Sequence, residues 1–376
     1  MKYSIEIGKI VEGALKHDYT KVLNYTKQLI NKLELDDEMK AASKFSKLLS
    51  NYNTTNLTAM GMEKNMSIPI DTESRTLLAD VIFPSENVDK VILSHKNEEK
   101  LKSFILSYQN ADKLNSLGIG VSNSLLLYGP PGCGKTKCAY LIARELNLPL
   151  VIARLDSLIS SYLGTTAKNI RMLFEYAQKM PCVLFLDEFD AIAKARDDSN
   201  ELGELKRVVN SLLQNVDSMS KDSLLLAATN HEKLLDSAVW RRFDYKLEVE
   251  LPDKEALIQM IDLFIGKAIN LSMKQKVELA TIFEGLSGAD VEEILKKSMR
   301  NAVIHDKELS VECIFEEFFT FKNIIPQNCI NEKSLLETKA KYLRSCNEKV
   351  FSLQIIADIL NKSKTTIAKI VKEEES

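Results

Sequence analysis

The sequence predicts an α/β fold in which a parallel sheet is sandwiched by helices and followed by a smaller all-helical lid. Three observations carry this expectation. Between residues 77 and 321, apolar strand-like runs alternate with helical patterns, as a parallel sheet covered on both faces requires. One of those runs opens into a glycine-rich loop that is followed at once by a helical pattern. After Pro252 the strand-like runs stop and only helical periods continue.

From the N-terminus, residues 1–66 read as a helical unit with a linker. Apolar positions fall at Ile7, Ile10, Val11 and Ala14, then Val22, Leu23, Leu29, Ile30 and Leu33, then Ala42, Phe45 and Leu49, which suits three short amphipathic helices. The stretch 51–67 is rich in Asn, Thr and Met, lacks a period and reads as linker. Such a unit either caps the next domain or adapts it to a substrate or partner, and its residues do not choose between the two. Residues 67–252 form the expected large α/β part, with strand-like runs at 124–128, 150–153, 182–186, 224–228 and 247–251. Residues 253–325 form the expected lid, with helical periods over 254–266, 274–283 and 289–305, and residues 326–376 a C-terminal helical segment.

Composition narrows the function classes. At 376 residues, with 45% hydrophobic and 27% charged content, the chain has room for more than one globular domain. A net charge of −3 argues against a surface coated for nucleic acid but permits local basic patches. Cysteines at 133, 138, 182, 313, 329 and 346 include no Cys-x-x-Cys pair, and the four histidines lie far apart, so neither a zinc site nor a disulfide framework is expected. No apolar run approaches the ~18 residues of a membrane span. A reducing cytoplasm, without membrane insertion, is the expected setting.

The glycine-rich loop comprises Gly129, Pro130, Pro131, Gly132, Cys133, Gly134, Lys135 and Thr136. In such a loop glycines turn successive backbone N–H groups toward a phosphate, Lys135 reaches the β- and γ-phosphates of a nucleoside triphosphate, and the Thr136 hydroxyl can take a position on Mg²⁺. A helix expected over 135–146 directs its N-terminal dipole at the anion. Cys133 fills a spacer position with no chemical part of its own. The run 182–186 delivers Asp187 and Glu188 to a strand's C-terminal end, where open α/β sheets bind ligands. Asp187 is assigned to the metal and Glu188 to activating a water for in-line attack on the γ-phosphate, while Asp190 reads as structural. The run 224–228 leads to Asn230, whose neutral amide can bond both the attacking water and the γ-phosphate.

These motifs, with the segment 235–244 that carries Arg241 and Arg242, occur in an order that resembles the AAA ATPases over roughly residues 77–320. The resemblance implies a P-loop NTPase sandwich of the AAA+ type with a helical lid subdomain. It implies ATP and Mg²⁺ as cofactors, and hydrolysis to ADP and phosphate coupled to macromolecular remodelling. It also implies a homo-oligomer, usually a hexamer, in which arginines at 241 and 242 reach the neighbour's γ-phosphate; such a finger raises the rate about 10³–10⁵-fold. Many members separate these arginines, and the adjacent pair resembles the microtubule-severing branch, leaving open which of the two meets phosphate. Gly288 and Ala289 resemble the small-residue sensor-2 motif beside adenine and ribose, against the plainer reading of a helix N-terminus. Tyr162, Leu163 and Gly164 stand where the family places its first pore loop. A ring of such tyrosines would grip an extended polypeptide by apolar intercalation; the alternative is a core tyrosine. Charged residues of 197–207 resemble a second pore loop.

The tail has a helix-turn-helix pattern: 352–360, then Asn361, Lys362 and Ser363, then 364–371. Ala357 is expected at the helix crossing, Asn361 in the left-handed turn, Ser363 at the second helix's cap, and Ile356, Leu360, Ile367 and Ile370 in the shared core. Asn361 replaces the usual Gly, and Lys362 an apolar residue. Lys364, Thr365, Thr366 and Lys369 are the candidate DNA contacts; docking on a protein is the alternative. The chain carries no His-Glu-x-x-His motif and no Ser or Cys triad pattern, so any proteolysis belongs to another subunit. This combination resembles prokaryotic AAA ATPases that act beside subtilisin-like proteases. Three functions follow: a pore motor that remodels protein substrates, a DNA-associated ATPase recruited through 345–376, and a nucleotide-operated switch.

Overall fold

The computed structural model describes residues 3–15, 19–55, 68–71, 74–83, 90–159, 163–193, 204–219, 223–324 and 332–372. The chain divides into two compact units. The first comprises Met1–Val91, Asn97–Gly129 and Lys135–Glu248, and the second Ile92–Lys96, Pro130–Gly134 and Val249–Ser376.

In the first unit, α1 (Ser4–Leu15), α2 (Tyr19–Leu35) and α3 (Met39–Thr55) pack around Leu29, Ile30, Leu33 and Ala42. Helix α3 runs through 51–55, where the sequence suggested linker; the apolar face ending at Leu49 carries the helix past the last periodic position. Val11 is half exposed, although its spacing placed it with the buried residues. Glu6 is buried in this unit instead, with Oε1 2.6 Å from Lys32 Nζ.

The sheet comprises β1 (Ala79–Ile82), β2 (Ser124–Tyr128), β3 (Leu150–Ala153), β4 (Val183–Leu186), β5 (Leu224–Thr229) and β6 (Tyr245–Glu248), in spatial order β1-β3-β4-β5-β2-β6. Five strands are parallel, and β1 joins β3 antiparallel at the edge. The sequence missed β1, a four-residue strand half exposed at the margin and lacking a continuous apolar run. The central strands show that run because both faces are covered: Leu125, Leu126 and Leu127 are fully buried. The last strand pairs at Tyr245–Glu248 instead of at 247–251. Its partner β2 turns away after Tyr128, so the ladder has no bonds to offer beyond Glu248.

The connections are α4 (His95–Gln109), α5 (Ala111–Ser116), α6 (Lys135–Glu145), α7 (Leu155–Leu158), α8 (Leu163–Gln178), α9 (Asp190–Ala193), α10 (Glu204–Asp217) and α11 (Ser237–Trp240). Helices α8 and α10 supply Ile170, Leu173, Phe174, Val209 and Leu212 to one core with Leu126, Leu184 and Leu225. Burial pushes the Cys138 and Cys182 thiols up to about 12, so both stay protonated and serve packing.

The second unit holds α12 (Lys254–Ile265), α13 (Met273–Phe283), α14 (Gly288–Ile304), α15 (Val311–Phe321), α16 (Glu332–Cys346), α17 (Leu353–Ile359) and α18 (Lys364–Lys372). Helices on both sides of residue 326 share one core: Phe315 meets Phe351 edge-on at 6.2 Å, and Leu343, Ile356 and Ile367 are fully buried with Leu279 and Leu295. Lys339, itself buried, holds Glu316 and lies over the Phe319 ring. The turn between α17 and α18 follows the sequence expectation. Asn361 has φ 51°, Asn361 N donates to Asp358 O, and Lys362 N donates to Ala357 O at 2.9 Å, the paired bonds of a left-handed helix stop. Ser363 Oγ then accepts from Thr366 N. Among the described residues, no helix is long and apolar enough to cross a membrane.

Because a β-branched side chain at this positive φ costs about 1 kcal/mol or more, Asn361→Val is expected to lower the denaturant midpoint. Asn361→Gly is expected to hold or raise it.

Candidate active site

The phosphate-loop sequence leaves β2 at Gly129, where φ is 135°; Gly132 and Gly134 also hold positive φ, at 75° and 99°. At Gly132 a side chain is excluded twice over, by the backbone angle and because a Cβ would fall 2.5 Å from Ser287 Oγ and 3.0 Å from Ala289 Cβ. Ala289 N donates to Gly132 O at 3.1 Å, so within the second unit the loop's middle is tied to the start of α14. That start is also a capping box, in which Ser287 and Asp290 exchange bonds, as the plainer reading of a helix N-terminus expects.

Helix α6 opens with Lys135, which is buried and donates to Gly129 O at 2.7 Å. The next residue, Thr136, donates to Asp187 Oδ2 at 2.8 Å. This bond joins the phosphate-loop helix to the carboxylate strand. The other Asp187 oxygen, Oδ1, accepts from Glu188 N at 2.9 Å. Glu188 stands in the left-handed region at φ 46° with its side chain exposed, a strained conformation for a non-glycine residue.

Strand β5 lies between β4 and β2, with Leu186 paired to Ala227 and Tyr128 to Thr229. The ends carrying Asp187, Asn230 and Gly129 therefore emerge at nearly the same level. Thr229 Oγ1 donates to Asp190 Oδ1 at 2.7 Å and accepts from His231 N at 2.9 Å, which brackets Asn230. Asp190 thus bonds Thr229, a partner missed in the sequence because a strand-ending Thr has no distinctive spacing.

Two more residues escaped sequence reasoning. Ile92 and Met260 cluster with Ala256, and a Cβ at position 288 would meet Met260 Cε at 3.3 Å. Met260 thus lies beside Gly288 and packs with Ile92, and a lone Ile and Met at that separation carry no motif.

The two arginines differ. Arg241 is exposed, its backbone N donates to Ser237 O at 3.2 Å, and its side chain makes no hydrogen bond or ion pair among the described residues. Arg242 is held by Asp217 and by Ala238 O. Ser161, Tyr162 and residues 197–203 lie outside the described residues, and Leu163 and Gly164 begin α8. Lys364, Thr365, Thr366 and Lys369 are exposed on α18.

A family model described as the ATPase family associated with various cellular activities (AAA) matches residues 125–251. Over 233 residues the chain is 42% identical to an uncharacterized AAA family ATPase of Sinorhizobium fredii, an alignment covering 60% of this chain and 68% of that protein. The chain belongs to the AAA family of ATPases. As an AAA ATPase it binds nucleotide and hydrolyses ATP. It is also similar to the proteasome-activating nucleotidases of Methanococcus vannielii, at 33% identity over 208 residues, and Methanococcus maripaludis, at 34% over 199. Those alignments cover 54% and 51% of this chain and 51% and 49% of the nucleotidases, so this AAA ATPase spans about half the length of each.

The backbone at residue 188 suits glycine better than glutamate. Glu188→Gly is therefore expected to raise the melting temperature while abolishing ATP hydrolysis, measured by calorimetry and phosphate release. Unchanged stability would show that the strain is negligible.

Proposed function

We propose that this AAA ATPase is one subunit of a ring motor, a hexamer, whose hydrolytic site is completed by a neighbouring chain and whose work is to remodel protein substrates. One observation supports this most. Arg242 O accepts from Ser124 Oγ at 3.2 Å, which sets the arginine pair at the start of β2, whereas Gly129 follows that strand's end. Five residues at about 3.3 Å each separate Ser124 from Gly129, roughly 16 Å, which is farther than an arginine side chain extends. An exposed arginine there serves another chain's nucleotide better than its own.

The donor set fits ATP with Mg²⁺: loop amides at positive-φ glycines, the buried Lys135 ammonium, and the Thr136–Asp187 pair. Thr136 and Asp187 would hold Mg²⁺, which neutralises charge developing on the phosphate oxygens when bound. Lys135 binds the β- and γ-phosphates. Glu188 accepts the proton of the attacking water, and Asn230 orients that water without adding charge. Arg241 is the finger from the neighbour. Gly288 and Ala289 are the adenine-side candidates, as the family resemblance implies.

Protein remodelling draws support from the similarity to proteasome-activating nucleotidases. Tyr162, Leu163 and Gly164 would grip the extended chain, and a separate protease, subtilisin-like or otherwise, would cut it. A second reading, recruitment to DNA, is favoured by the exposed Lys364, Thr365, Thr366 and Lys369 on α18, which follows a turn of helix-turn-helix geometry.

Arg241→Ala is expected to lower kcat about 10³-fold or more while nucleotide affinity is kept. Unfolded protein should stimulate hydrolysis, and Tyr162→Ala should remove the stimulation; indifference to Tyr162→Ala would refute threading. DNA-stimulated hydrolysis lost in the Lys364→Glu, Lys369→Glu double variant would favour the second reading. Point variants are needed here because residues 345–376 contribute Phe351, Ile356 and Ile367 to the shared core.

A further inference from the structure

The turn that presents Arg241 is braced on both sides. Before it, the Trp240 ring meets Tyr128 edge-on at 5.2 Å. After it, Arg242 is fully engaged inside its own chain. Its Nε and Nη2 lie 3.2 and 3.3 Å from the two oxygens of Asp217, and Nη1 donates to Ala238 O at 3.2 Å. Ser124, buried at the start of β2, donates to Arg242 O and accepts from Asp244 N at 3.0 Å, so one hydroxyl clasps the chain on both sides of Phe243. Phe243 in turn is buried edge-on to Phe189, next to Glu188.

We propose that Asp217, Arg242 and Ser124 are positioning residues that fix the direction in which Arg241 leaves the subunit. The inference rests on the reading that Arg241 acts on a neighbour's nucleotide. A forked guanidinium–carboxylate contact fixes orientation as well as distance. Here it ties the segment after α11 to the last residue of α10, 25 positions earlier in the chain. With all three guanidinium nitrogens committed, Arg242 holds the turn and Arg241 is left to reach outward. The Asp217 side chain is 52% exposed and that of Arg242 33%, so the pair adds little to stability. Its value lies in geometry, because a finger misplaced by about 1 Å loses about 10²-fold in rate.

Complementation between two variant chains tests this. A Lys135→Ala chain has a disabled phosphate site but an intact arginine segment. An Asp217→Asn chain has an intact phosphate site and a loosened arginine segment. Asp217→Asn alone is expected to lose about 10²-fold in kcat with KM for ATP unchanged, and mixing it with Lys135→Ala chains should restore hydrolysis well above the sum of the two. A merely structural defect would travel with the Asp217→Asn chain and would not be rescued. The Arg241→Ala chain mixed with Lys135→Ala chains is the control. If Arg241→Ala is rescued while Asp217→Asn is not, or if Asp217→Asn hydrolyses ATP at the parental rate, the brace is refuted. If Arg241→Ala itself is not rescued, the reading of Arg241 as a finger in trans fails, and the brace with it.

Discussion

Strand β5 pairs in parallel with β4 on one side and with β2 on the other, and that pairing is the constraint on which the site depends. Parallel strands in register end together. The loop after β2, the acids after β4 and the amide after β5 are thereby delivered to one edge of the sheet without any of them contacting the others in sequence. Two side-chain bonds then lock the arrangement: Thr136 to Asp187 crosses the end of β5, and Thr229 to Asp190 ties β5 to the turn that carries Glu188. Each satisfies a polar group near a buried sheet, where an unpaired one would be costly. The strained backbone at Glu188 persists because these bonds over-determine its surroundings.

The same strand that begins the phosphate loop also separates it from the arginines. Ser124 and Tyr128 bound β2, and each touches the segment around Arg241 in its own way, one by hydrogen bond and one by ring contact. A single buried strand thus carries the phosphate-loop sequence at its end and holds the arginine segment through Ser124 at its start. In the proposed ring, hydrolysis would belong to the interface between chains, and the direction of Arg241 would be a property that packing inside each subunit sets.

Much of this was legible in the sequence because the signals are local. The phosphate loop, Asp187, Glu188 and Asn230 each follow a strand that is buried along nearly its whole length, and such strands announce themselves as unbroken apolar runs. The turn at Asn361 was legible for a similar reason, since cap, turn and core residues sit within twenty positions. What stayed hidden depends on distance or on an edge. Strand β1 is short, half exposed and antiparallel. The end of β6 is decided by where β2 turns, which β6 does not encode. Arg241 and Arg242 look equivalent in sequence and differ because Asp217 and Ala238 O hold one of them. Ile92 and Met260 meet across more than 160 positions.

The account stands on the hydrolytic site being shared between chains. Its most direct test is the rate of ATP hydrolysis per chain measured across chain concentration, with the mass of the assembly followed by light scattering in the same samples. We expect the specific rate to fall steeply on dilution as the assembly dissociates, and to be regained on reconcentration. A specific rate that holds constant down to concentrations where the chain is monomeric would contradict the account.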